Sequence, residues 1–217
     1  MDTDTKTNTN TLTIPAAEFA AAVKVVAASA GTDKTLPMLT VIKVAGGGDK
    51  PIELVATDRF RLTVATIKEL RVSWCCEITP LLIPAAPLAK FMSGIKLPKF
   101  TREWDTIELF PAGDEVMVKA TIGGEVSSIT LRLSDATYPD YTKLGFDPSS
   151  ERYTSGGTNL ISVNPKLLGE ISTVFSKVIK GSPLKLHLPN DDKRPILFTL
   201  DTEGVSYLTA LMPMRTI

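Results

Sequence analysis

One pattern occurs three times along the 217 residues: a short apolar strand, a proline step, an apolar helix, and three more strands. The first copy opens "TLTIPAAEFAAAVKVVAASAG", a strand over Thr11–Ile14, with Pro15 suited to a first helical position and Gly31 to the helix stop. The strands "MLTVIKVA", "IELVATD" and "FRLTVATIKEL" follow it. The second copy restarts at "LLIPAAPLAKFMSGI", with Pro84 before the helix and Gly94 near its end, then "TIELFPA", "EVMVKATI" and "EVSSITLRL". The third is "LISVNPKLLGEISTVFSKVIKG", with Asn164 as N-cap, Pro165 in the first turn and Gly181 as stop. Its strands are "LKLHL", "ILFTLD" and "VSYLTALM". Such a period governs the whole fold. One helix cannot cover three or four strands alone, so neighbouring copies must join sheets and share a core. The expected class is α+β with antiparallel sheets.

The organisation read from this is a disordered Thr/Asn-rich tail at 1–10, a complete two-repeat domain at 11–135, a connector at 136–157, and a single repeat at 158–217. The connector is rich in Pro, Gly, Ser and Tyr.

The sequence is poor in signs of catalysis. Cys75 and Cys76 are neighbours and His187 is the one histidine, so a four-ligand zinc site is excluded. Adjacent cysteines point to a reducing compartment. There is no apolar run of about 18 residues for a membrane span and no signal-peptide core. His187 alternates within "LKLHL" and reads as a half-buried strand residue. "GGGD" at 46–49 reads as a hairpin tip. Asp191 and Asp192 read as a charged turn, and Asp58 as a turn cap. No cofactor and no enzyme activity are expected.

Two features remain. The 24 basic and 24 acidic residues balance, so any DNA contact must come from a local basic face. Lys24, Lys90, Lys96, Lys166, Lys177 and Lys180 cluster on or beside the three helices, with few acids opposing them. They read either as a solvated face or as helices facing phosphates without reading bases. The chain also finishes "YLTALMPMRTI", where Pro213 stops strand pairing between two soft apolar side chains.

The repeated unit, "LPMLTVIKV" at 36–44, "VATDRFRLTVATIKEL" at 55–70, "ATYPDYTKL" at 136–144 and "LMPMR" at 211–215, in that order, resembles the bacterial DNA polymerase III beta subunit, the replicative sliding clamp. The likeness is strongest to actinobacterial versions. It implies a DNA-clamp fold with sheets outside and helices inside, shortened to one and a half clamp domains. Residues 11–144 resemble the middle domain and 158–217 the second half of the last.

The resemblance implies a processivity factor that encircles duplex DNA and binds short peptides of polymerases and clamp loaders. The peptide site implied is Leu39, Thr57, Arg61, Leu62, Pro139, Lys143, Leu144, Met212, Pro213, Met214 and Arg215. Val41 stands where the family usually has glycine, which would narrow the pocket floor. Methionine suits such a site because it repacks around varied partners. The six lysines become channel residues. The family's ring holds twelve such units, so three per chain implies a homotetramer in a bacterial cytoplasm, cellular or phage-infected. The competing expectation is a non-encircling module that keeps the peptide site and adapts or sequesters clamp partners.

Overall fold

The computed structural model of the chain describes residues 11–47, 50–68, 77–98, 102–154, 161–178 and 181–214. The expected tail at 1–10, Cys75, Cys76, Lys180, Arg215 and the connector's last residues lie outside these.

The first unit is β1 (Leu12–Pro15), α1 (Ala16–Ala27), β2 (Val41–Gly47), β3 (Lys50–Thr57) and β4 (Arg61–Ile67). The second is β5 (Glu77–Pro84), α2 (Ala85–Gly94), β6 (Thr106–Ala112), β7 (Glu115–Ile122) and β8 (Glu125–Arg132). After one helical turn, α3 (Glu151–Thr154), come α4 (Pro165–Val178), β9 (Lys185–His187), β10 (Ile196–Asp201) and β11 (Val205–Leu211). Among the described residues every strand pairing is antiparallel, in two sheets ordered β1-β6-β7-β8 and β5-β2-β3-β4-β11-β10-β9.

One rule organises the first two units. The leading strand of each crosses to the second strand of the other. Leu12 and Ile14 of β1 face Leu109 and Ile107 of β6. Leu81 and Ile83 of β5 face Val44 and Ile42 of β2. All eight are buried. The exchange makes each sheet depend on both units. The third unit adds its strands to the free edge of β4, through Tyr207 opposite Ala65 and Thr209 opposite Thr63.

Three expectations change. Ile161–Val163, within the "LISV" read as the third unit's leading strand, forms no strand. By the pairing rule its partner would be the second strand of another unit, and no fourth unit is present among the described residues. Pro15 precedes its helix and does not open it, just as Pro84 precedes α2. Each ends its strand, Pro15 opposite Thr106 and Pro84 opposite Val41. Gly31 does not stop α1, which ends at Ala27. Instead its N–H donates to the Leu39 carbonyl (2.7 Å), and a side chain there would crowd Leu39. Asn164 caps α4 as read, its Oδ1 accepting from the Lys166 N–H at 3.0 Å. Gly46 tolerates no side chain: it has φ +115°, and a Cβ would meet the Pro51 carbonyl.

The core lies between the helices and the sheets. Phe19, Ala22, Val23 and Val26 of α1, at helical spacing, are fully buried, and α1 packs on β3 and β4 and against α2. Burying Phe19 alone contributes roughly 2–3 kcal/mol. Buried hydroxyls of Ser29, Thr63 and Thr209 form a chain at 2.7 and 2.9 Å, tying the α1 exit to β4 and β11. Buried Asp105 accepts from the Arg102 and Gly123 N–H groups, both at 2.8 Å, and these bonds hold its carboxyl below the usual carboxylate range.

Candidate functional site

The seven-stranded sheet has a helix face and an outer face, and one end of the outer face gathers much of the expected peptide site. Lys43 faces Val55, so two residues on, Val41 stands across from Thr57. Thr57 faces Leu62, and Leu62 faces Ala210. This row crosses from the first unit into the third without a break, because β4 and β11 are paired neighbours. Val41 is buried in it, and Leu39 is buried in a single helical turn just before β2.

The connector is no free linker. It crosses the outer face as a strap. Tyr138 donates its hydroxyl to the Val55 carbonyl (3.2 Å) and Tyr141 to Glu53 Oε2 (2.7 Å). Burial pushes both phenols well above their ordinary range. The Lys43 ammonium lies 5.8 and 5.3 Å from their ring centres, a cation–π pairing. The two tyrosines and Phe146 pack on Val55, Leu62, Val64 and Leu208 as a second small core. Tyr153 then reaches the Pro195 carbonyl at 3.1 Å. Pro139 and Lys143 are exposed on the strap, Lys143 pairing with Asp140 (3.2 Å), and Leu144 is 54% exposed.

At the sheet's end the chain leaves β11 with its apolar side chains uncovered. Met212 donates its N–H to the Phe60 carbonyl (2.8 Å), and Met214 donates to the Ser162 carbonyl (2.7 Å). Pro213 between them has no N–H to give. Met212 is 40% exposed, Met214 52% and Phe60 58%. Phe60 was not among the residues expected at the site. Its signal was an aromatic side chain at the tip of a turn built by Asp58, whose Oδ1 accepts from the Phe60 and Arg61 N–H groups, both at 2.9 Å. Arg59 in that turn takes a left-handed φ of +79°.

Arg61 faces the other way. It is 8% exposed, with its guanidinium 3.0 Å from Asp58 Oδ2 and 2.7 Å from Glu170 Oε2 of α4. It binds the third unit's helix to β4. Arg61→Ala leaves the half-buried Asp58 and Glu170 without their partner and should lower stability by about 1–3 kcal/mol, read by urea unfolding. A direct peptide contact by Arg61 would instead show as lost binding at unchanged stability.

The helix face holds the lysines. α1 lies against both α2 and α4. Lys24, Lys90, Lys96, Lys166 and Lys177 are exposed, and none forms an ion pair among the described residues. Lys24 and Lys177 share a hollow of about 600 Å³ between the helices, floored by Ala20, Val23, Ala89 and Met92. Lys90 borders a separate hollow between α2 and β8. Among the described residues, no cluster of His, Cys, Asp or Glu could hold a metal, and no helix is long and apolar enough to cross a membrane. His187 sits in β9 with Nε2 2.8 Å from Thr199 Oγ1, a satisfied strand residue.

The family model for the DNA polymerase III beta subunit, central domain, matches residues 13–140. The beta sliding clamp homolog GriR of Streptomyces muensis is 31% identical over 164 residues, 74% of this chain and 39% of that protein. The beta sliding clamp of Streptomyces coelicolor is 46% identical over 52 residues, 24% of this chain and 14% of that protein. The DNA polymerase III beta subunit of Thermotoga maritima shares the fold at TM-score 0.68 and 17% identity, over 96% of this chain and 66% of its own. The Bacillus subtilis sliding clamp does so at TM-score 0.69 and 15% identity, over 97% and 66%. The chain thus spans about two fifths of the first of these relatives and about two thirds of the solved chains.

Proposed function

Because the chain belongs to the DNA polymerase III beta subunit family, we propose that it is a shortened sliding clamp, a processivity factor that encircles duplex DNA as a homo-oligomer. In this reading it holds short linear peptides of a polymerase and its partners on the outer face. The observation that carries it is the division of the two faces. Phe60, Leu144, Met212 and Met214 stand exposed on or beside the outer end of the sheet. Lys24, Lys90, Lys166 and Lys177 stand on the helices behind it, with Lys96 just past α2, and none of the five is ion-paired among the described residues. Phosphate contact from such lysines is nearly independent of sequence, which is what sliding requires.

Sliding clamps are not enzymes, and the site's chemistry is recognition: soft apolar side chains outside, positive charge inside. Residues 11–135, with two units exchanging strands, serve as one complete clamp domain, and the third unit as half of another. A ring of twelve units then needs four chains. Light scattering over a concentration series should give a mass near four times 23.4 kDa. A monomer at every concentration would contradict the ring.

The balanced net charge favours a second reading, a module that binds clamp partners by the outer face without surrounding DNA. It predicts peptide binding by a species too small to close.

A further inference from the structure

The third unit has the parts of the strand exchange seen between the first two, but nothing described in its own chain completes it. Its second strand, β9, is the last of the seven-stranded sheet. Leu186 faces Phe198, whose side chain is in the main core, so Leu186 points to the helix face. The corresponding inner positions of the other second strands, Ile42 and Val44 of β2 and Ile107 and Leu109 of β6, are 0% exposed. Leu186 is 56% exposed, and Leu188, in the same phase, 52%. An apolar edge of this kind invites pairing.

The leading segment is in place too. Ile161–Asn164 precedes α4 as Leu12–Pro15 precedes α1 and Leu81–Pro84 precedes α2. Its flank is held as that of β5 is. Ser134, just past β8, donates to the Leu82 carbonyl at 2.9 Å, and Met214, just past β11, donates to the Ser162 carbonyl at 2.7 Å. Leu82 and Ser162 occupy the same position, two residues before their units' last pre-helix residue. Ile161 and Val163 match Leu81 and Ile83, yet they are only half-buried where those are buried.

We propose that the third unit completes a domain with the third unit of a second copy, each copy's Ile161–Asn164 adding as a strand to the other copy's β9. The exchange rule carries the choice of occupant. Leading strand meets second strand in both directions, so a single unit bearing both is complementary to itself about a two-fold axis, as an isologous interface demands. Transferring the β1–β6 register puts Ile161 opposite the partner's Leu186, Ser162 opposite the partner's Lys185 and Val163 opposite the partner's Leu184. It buries the leucines on the helix face. The inference rests on the ring reading only in giving it one of its two kinds of joint.

Two measurements test it on the full chain. Ser162→Cys with Lys185→Cys, on a background with Cys75 and Cys76 changed to serine, should oxidise to a disulfide-linked dimer. Within one unit the leading and second strands belong to different sheets, as β5 and β6 do, so a link inside one chain is not expected. Leu186→Asp should halve the mass in solution while peptide binding at the Met212–Met214 surface persists. Absence of the cross-link, or a Leu186→Asp mass equal to that of the unaltered protein, overturns the interface. So does capture of the edge by a full-length clamp chain in preference to a second copy. The ring reading is judged separately. An unaltered-size Leu186→Asp oligomer retained on circular DNA would sink this joint alone. A cross-linked dimer never retained on circular DNA would establish the joint and sink the ring.

Discussion

Changing Lys24, Lys166 and Lys177 together to glutamate should reduce assembly on circular duplex DNA at least tenfold at about 50 mM salt, with the outer face unaffected. The three side chains are exposed, on α1 and α4, and no described carboxylate neutralises them. Lys24 and Lys177 border one hollow, so their reversal concentrates negative charge where the phosphates would pass. No core contact is touched, so thermal stability should change little. Gel-filtration recovery of the protein with nicked circles reads the first effect, and anisotropy of a fluorescent polymerase-type peptide reads the second. Loss of both would mean that the variant had misfolded. Loss of neither would make the lysines a plain solvated face.

Met212→Ala with Met214→Ala should weaken that peptide, expected to bind at micromolar affinity, by roughly 30-fold or more, the scale of losing about 2 kcal/mol of hot-spot contact. Phe60→Ala should act in the same direction, since the Phe60 carbonyl and Met212 N–H tie the two together at 2.8 Å. These side chains are 40–58% exposed, so their loss tests binding with little penalty to folding. Leu62→Ala is a poorer probe. Leu62 is 6% exposed in the core under the strap, and removing it costs about 2–5 kcal/mol of stability whatever it does to the peptide. Isothermal titration with the double methionine variant decides the matter. Unchanged affinity would mean the exposed methionines are no binding surface.

The strands and helices of the first two units were legible because each carries its own pattern. β6 alternates, α1 repeats apolar residues at helical spacing, and Gly-rich turns separate the hairpins. Asn164 was legible as a cap because the chemistry is local. What sequence could not give was any feature set by a distant partner. "LISV" has the composition of a strand, but a strand needs a neighbour, and Ile161–Asn164 finds none among the described residues. Arg61 sits in a motif that pointed outward to a peptide. Its direction is fixed by strand phase and by Glu170, 109 residues away. The connector's tyrosines stand out in its composition, but Pro, Gly and Ser around them read as a linker, and the spacing of Tyr138, Tyr141 and Phe146 was the available sign of a segment that packs. Phe60 was overlooked because a turn aromatic has no periodic pattern to flag it.

The central claim is a topological link to DNA, and retention on circles tests it most directly. The oligomer is dissociated under mild conditions and reassembled with nicked circular duplex, so that no loading machinery is needed. The complex is then washed at about 1 M salt, where phosphate contacts are screened to a Debye length of about 3 Å. A ring stays on the circle through the wash and is released when one restriction cut makes the DNA linear. Protein lost in the wash, or held equally on cut and uncut DNA, would contradict encirclement.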